Sequence, residues 1–168
     1  MVANAIGLVL FPAMMAFAAS SDLLTMTISN RISLILLGGF FVLAVMTGLS
    51  AADILWHLGA GIAVLLVAFG CFTMGWVGGG DAKLAAATAL WFGFDHLATY
   101  LIYASLFGGA LTLLLIQFRK LPMPQFLASQ EWLARLHQKD EGVPYGIALA
   151  AAALCVYPDT FWMKAIAA

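Results

Sequence analysis

Charge is what this chain lacks most. Of its 168 residues, 7 are Lys or Arg and 8 are Asp or Glu, together 9% of the sequence, against roughly 25% in an ordinary soluble domain. Hydrophobic residues make up 64%. So little charge cannot furnish a water-facing surface, and the expected class is integral membrane. A net charge of -1 excludes the bulk basicity of a nucleic-acid binder. Cysteine is also scarce. Cys71 and Cys155 stand singly in apolar stretches and form no CxxC pair, so they read as small packing residues rather than zinc ligands. The chain has no GxSxG elbow and no HExxH motif, and His57, His96 and His137 are scattered. Serine, cysteine and metalloprotease chemistries therefore lack parts, and neither a metal nor another cofactor is expected. Residues 1–19 lack the basic opening of a secretory signal, since the first basic residue is Arg31. Despite the Ala16-Phe17-Ala18 run, they read as a retained membrane helix.

What is there is apolar length. A membrane-spanning helix needs roughly 20 mostly apolar residues. Five stretches qualify: about Val2 to Ala19, Ile32 to Leu49, Ile54 to Trp76, Leu97 to Phe118 and Tyr145 to Trp162. A sixth, Ala82 to Phe94, is apolar but short. No stretch alternates polar and apolar residues as a membrane barrel would, and helices are the other way to satisfy a backbone in lipid. If the short stretch crosses, Arg31, Lys83, Arg119, Lys120, Arg135 and Lys139 share one side and Lys164 alone faces the other. The positive-inside rule favours that arrangement. The expectation is an all-α polytopic bundle of six transmembrane helices with a short fourth helix, one domain over residues 1–168. Both termini are expected to be periplasmic. Ser20 to Arg31, Val77 to Asp81 and a long loop, about 119–144, are expected to be cytoplasmic. Within that loop, Phe126 to Gln138 reads either as an interfacial helix or as a solvated segment.

The acidic residues sort by this topology. Asp53, Asp95 and Asp159 fall at outer helix ends, and Glu131, Asp140 and Glu141 fall in the loop, where all reach water. Asp22 and Asp81 differ. Asp22 is expected just past the first helix and Asp81 at the start of the short fourth helix, both at one membrane face. Two carboxylates brought close cannot both ionise easily and share a proton. Such a pair can activate a water with one member and protonate a leaving amine with the other. Gly78-Gly79-Gly80 before Asp81 permits positive-φ backbone or close approach of another chain. A flexible turn with an acidic helix start is the plainer reading of the same residues. An aspartate there, with no Gly-Lys-Ser/Thr sequence, argues against a phosphate loop.

At Gly78-Gly79-Gly80-Asp81, followed by Lys83, the chain resembles the type IV prepilin peptidases, membrane aspartyl proteases of the GxGD type. Asp22-Leu23 followed by Ile28-Ser29-Asn30 resembles the family's first-aspartate region, and Val143-Pro144-Tyr145-Gly146 its Pro-Tyr/Phe-Gly element. Ser29 stands where proline is usual, and Thr25, Met26 and Thr27 occupy a stretch that is often basic. The resemblance implies an aspartic endopeptidase that removes the leader of a prepilin at the cytoplasmic face of the bacterial inner membrane, with Asp22 and Asp81 catalytic. It implies that Gly78 and Gly80 shape the second aspartate's loop and that Lys83 lies beside it. A lysine snorkelling from a helix end is the alternative for Lys83. Asn30, Pro144, Tyr145 and Gly146 are implied to be structural or substrate-facing. The chain lacks the paired CxxC region of the longer, methylating members, so it resembles the short form found with Flp-type (tight-adherence) pili, and no N-methyltransferase activity is expected. The expected partners are a prepilin substrate and membrane lipid, with no nucleic acid and no oligomeric state assigned. Two rivals remain: another GxGD intramembrane protease, and a small carrier using the two aspartates as a proton or cation site near the midplane.

Overall fold

The computed structural model describes residues 6–124 and 129–167. The start of the expected first helix, and Phe126 to Ala128 of the expected interfacial segment, lie outside them. A π-helical turn, Ile6–Leu10, leads into α1 (Phe11–Thr25). Then follow α2 (Asn30–Thr47), α3 (Ala51–Thr73), α4 (Gly79–Phe118), α5 (Glu131–His137) and α6 (Tyr145–Val156). A 3₁₀ turn, Tyr157–Asp159, and α7 (Phe161–Ala167) complete the chain. The described residues form an all-α membrane bundle.

Local chemistry explains the boundaries. Ser29 caps α2, its hydroxyl accepting from the Arg31 N–H at 3.3 Å, and Gly48 ends the helix at φ 68°. Ser50 and Asp53 form a reciprocal cap on α3, with the Asp53 N–H donating to Ser50 Oγ at 3.2 Å and the hydroxyl donating to Asp53 Oδ2 at 2.6 Å. Asp53 thus sits at a helix end, as its sequence context suggested.

The expected six spans are not reproduced. Among the described residues, four helices, Gly7–Thr25, Asn30–Thr47, Ala51–Thr73 and Gly79–Phe118, are long and apolar enough to cross. The stretch expected to run from Tyr145 to Trp162 is divided by the turn at Tyr157–Asp159, because Pro158 interrupts regular helical bonding. The expected fourth and fifth helices lie within α4, which breaks at Gly93 (φ 60°, ψ -175°). Only glycine tolerates that conformation well. The break falls at the end of the apolar run, just before Asp95 and His96, which are already helical.

The break folds α4 back on itself. Residues 80 and 108 each lie about 20 Å from it along their arms at 1.5 Å per residue. Yet both arms border the start of α6. Tyr145 packs into Gly108, and Ile28 bridges Gly80 and Gly146. Phe92 and Tyr100, on opposite sides of the break, have ring centroids 5.3 Å apart. The first arm, residues 79–92, is about 21 Å long, short of a hydrocarbon core of roughly 30 Å.

A helix that breaks leaves its last carbonyls without intrahelical partners. Here side chains from distant helices supply them. His57 Nδ1 on α3 donates to the Leu90 carbonyl at 2.8 Å, and Trp162 Nε1 on α7 donates to the Trp91 carbonyl at 2.6 Å. Trp91 Nε1 in turn donates to the Leu36 carbonyl on α2 at 2.9 Å. Around these bonds sits the aromatic core. Phe11 stacks on Tyr157 at 4.4 Å, and Phe40 meets Trp162 edge-on at 5.6 Å. Outside the core, exposed Leu34, Val45, Leu66, Val67 and Leu113 present an apolar surface suited to lipid.

The break makes a direct prediction. Gly93→Ala places a methyl group 3.2 Å from the His57 ring in a left-handed backbone, and it should cost about 1–3 kcal/mol. Thermal unfolding of the detergent-solubilised protein measures this. An unchanged midpoint would mean that the break does not depend on glycine.

Candidate active site

The end of the bundle opposite the aromatic core holds both singled-out aspartates. Asp22 is not past the first helix, as expected, but in the last turn of α1, buried at 5% exposure. The helix runs on because Ser21 and Thr25 supply their own local hydrogen bonds. Thr25 Oγ1 donates to the Ser21 carbonyl at 2.7 Å, and Ser21 Oγ donates to the Thr27 carbonyl at 2.8 Å. The chain then leaves α1 through Met26 in the left-handed conformation (φ 55°), its N–H bonded to the Asp22 carbonyl at 2.8 Å. That turn sends Ile28 back across the site.

Asp22 is held by the start of α6. Its Oδ2 accepts from the Gly146 N–H at 2.7 Å. This N–H lies in the first turn of a helix, where amides lack intrahelical partners and the helix dipole favours negative charge. Pro144 caps that turn and is buried. A Cβ on Gly146 would lie 2.8 Å from Asp22 Oδ2 and 2.6 Å from Ile28 Cδ1. Only glycine lets the amide come this close. Tyr145 turns the other way and fills the notch at Gly108.

Asp81 stands where the sequence placed it, in the first turn of α4 with Gly78 as its cap. The glycines before it do not use positive φ, which belongs among the described glycines to Gly48, Gly75 and Gly93. They serve close approach instead. A Cβ on Gly80 would lie 3.1 Å from Ile28 Cβ, and one on Gly78 2.9 Å from Asp81 Oδ2. Ile28 therefore packs against the backbone that carries Asp81, at Gly80, and against the backbone that holds Asp22, at Gly146. Asp81 Oδ1 is buried with no hydrogen-bond partner among the described residues.

Lys83 and Asn30, 53 positions apart, meet directly. Lys83 Nζ donates to Asn30 Oδ1 at 2.8 Å, tying the first arm of α4 to the start of α2. The loop is tied to the same end. Arg119 donates to the Leu136 and Gly142 carbonyls at 2.9 and 2.8 Å, and Arg135 to the Leu24 carbonyl at 3.2 Å. All the singled-out residues thus gather at one end. The partner role of His57, at the other end, carried no sequence signal, because the Leu90 carbonyl it satisfies lies 33 positions away.

Chemically, two carboxylates share this site, one with an amide donor and one with an oxygen free to take a proton or a donor. The arrangement suits acid and base work on one water. It also makes Gly146 sensitive. Gly146→Ala should push α6 off Asp22 and cost about 1–3 kcal/mol through overpacking, seen as a lower unfolding midpoint. Gly109→Ala, with nothing within 4 Å of its Cβ position, should be neutral.

Comparison with known proteins supplies the remaining piece. Neither a curated protein nor a solved structure matches the chain. A family model described as the type IV leader peptidase family matches residues 9–113. The matched region holds Asp22, Asn30, the Gly78–Asp81 turn and Lys83, and stops before the Pro144-Tyr145-Gly146 element. Such a family carries aspartic-type peptidase activity in general. By this match over most of its length, the chain belongs to the type IV leader peptidase family.

Proposed function

We propose that this protein is a membrane aspartyl endopeptidase that removes the leader from type IV prepilins of the Flp type, with Asp22 and Asp81 as the catalytic pair. The observation that carries the reading is their convergence. Asp22, on α1, and the Asp81 turn, on α4, lie at one end of a membrane bundle, both beside Ile28. Both fall within the region matched by the leader peptidase family.

In the proposed reaction, a water lies between the two carboxylates. The ionised aspartate takes a proton from it as its oxygen attacks the scissile carbonyl carbon. The protonated aspartate polarises the carbonyl oxygen. The carbon–nitrogen bond then breaks, and the leaving nitrogen takes a proton from the pair. Gly146 holds Asp22 in position through its N–H, Gly80 lets the Asp81 turn sit against Ile28, and Gly78 leaves room for the Asp81 carboxyl. No covalent intermediate is required.

The site faces the cytoplasm in this proposal, at the inner membrane of a bacterium. The support is charge. Arg31, Lys83, Arg119 and Arg135 lie on segments gathered at the Asp22 end, and positive residues favour the cytoplasmic side. They also suit contact with anionic lipid. The two cysteines form no CxxC pair, so the proposal covers leader removal and not methylation. A carrier using these aspartates near the midplane is not favoured, because both lie at one end of the bundle.

Asp22→Asn and Asp81→Asn should each lower leader removal by at least ~100-fold, while membrane insertion and the unfolding midpoint stay near normal. Co-expression with a candidate prepilin, read by the size shift of the pilin, is the measurement. Near-normal processing by either variant would sink the assignment.

A further inference from the structure

The end of α4 and the loop after it form a second polar feature, away from the aspartates. The second arm of α4, residues 94–118, is about 37 Å long at 1.5 Å per residue, enough to cross a hydrocarbon core of roughly 30 Å. Leu113, Leu114 and Ile116 are exposed along it, as lipid-facing residues are. An arm of that length carries its end, at Phe118, to headgroup level. A pocket of about 290 Å³ opens there. Among the described residues its lining is Ile116, Arg119, Lys120 and Lys139, three cations and one apolar side chain.

The fold holds these cations together. Arg119 pins the loop on both sides of Lys139, donating from Nε to the Leu136 carbonyl at 2.9 Å and from Nη2 to the Gly142 carbonyl at 2.8 Å. His137 Nε2 donates to the Leu121 carbonyl at 2.8 Å, and its ring meets Phe118 edge-on at 5.2 Å. Arg119 keeps further N–H groups beyond the two it uses. The Lys120 and Lys139 ammonium groups have no hydrogen bond or ion pair among the described residues. Asp140 and Glu141, next to Lys139 in the chain, are absent from the lining. Like charges gathered without a carboxylate repel one another, and a bound anion relieves that repulsion.

We propose that this pocket binds the phosphate of an anionic phospholipid, whose acyl chains run down the arm along Ile116 and Leu113. The proposal goes beyond the peptidase reading and does not depend on it. Charge selects an anion. The headgroup level and the apolar edge at Ile116 select a lipid, since a soluble anion would use neither. Basic pockets at a membrane surface hold anionic headgroups by this chemistry. A lipid seated here also fastens the loop to the membrane, and Arg135 of that loop reaches the Leu24 carbonyl, two residues past Asp22.

Lipid titration of the full chain in detergent tests this, with bound lipid counted by native mass spectrometry. Phosphatidylglycerol and phosphatidylcholine are compared on the parent, on Lys120→Gln/Lys139→Gln, on Lys120→Arg/Lys139→Arg and on Lys164→Gln, which removes a charge from α7. The parent should retain phosphatidylglycerol over phosphatidylcholine, and less of it as salt rises to about 0.5 M. The glutamine pair should weaken phosphatidylglycerol binding at least about tenfold, with the unfolding midpoint in lipid-free detergent unchanged. The arginine pair and Lys164→Gln should bind as the parent does. Equal retention of the two lipids by the parent, or binding indifferent to salt, overturns the proposal without any variant having to fold. So does a folded glutamine pair that binds like the parent, or an arginine pair weakened as much as the glutamine pair. Inorganic phosphate that displaces the phospholipid at equal concentration makes this a soluble-anion site and overturns the lipid.

Discussion

A helix that breaks must find partners for its terminal carbonyls elsewhere, and this chain meets that constraint at Gly93. The first arm of α4 stops short of a full span. Its terminal carbonyls are taken by His57 from α3 and Trp162 from α7. Those two bonds fix the far end of the arm, and Trp91 bonds the arm to α2. Asp81 sits at the near end of the same rigid arm. The arm that carries it is therefore anchored at the opposite end of the bundle as well.

The near end follows a second rule, close approach. Gly80 and Gly146 each leave room for Ile28, and Gly146 brings a helix-start amide onto Asp22. A side chain at either glycine would drive its helix away from Ile28. The two aspartates come from α1 and α4, so their relation depends on packing rather than on either helix alone. The Lys83–Asn30 bond adds a tie between α4 and α2 at the same end.

Part of this was legible in the residues. Apolar run lengths marked the helical membrane class, and the interval near Asp95 and His96 came within a few residues of the true break. The Gly-rich turn before Asp81 was visible as a helix start. Other features were not. Asp22 looks like a loop residue because the apolar run ends before it, yet Ser21 and Thr25 extend α1 by bonding to the backbone. The glycines of residues 78–80 suggested unusual φ, whereas they provide space. The full-length last helix failed at Pro158, where apolar character continues but regular bonding does not.

By itself the sequence determined that the protein belongs in a membrane and that ionisable groups are few; that Asp22 and Asp81 share one face was its expectation. Charge scarcity and apolar run length decide such matters, because they are sums along the chain. Only the tertiary structure decided that Gly146 holds Asp22, that Lys83 meets Asn30, and that His57 supports the arm carrying Asp81. Each of these joins residues at least 33 positions apart, and no local pattern encodes which distant helix will supply a missing hydrogen-bond partner. The aspartate pair could be named from the chain, but the means of holding it belong to the fold.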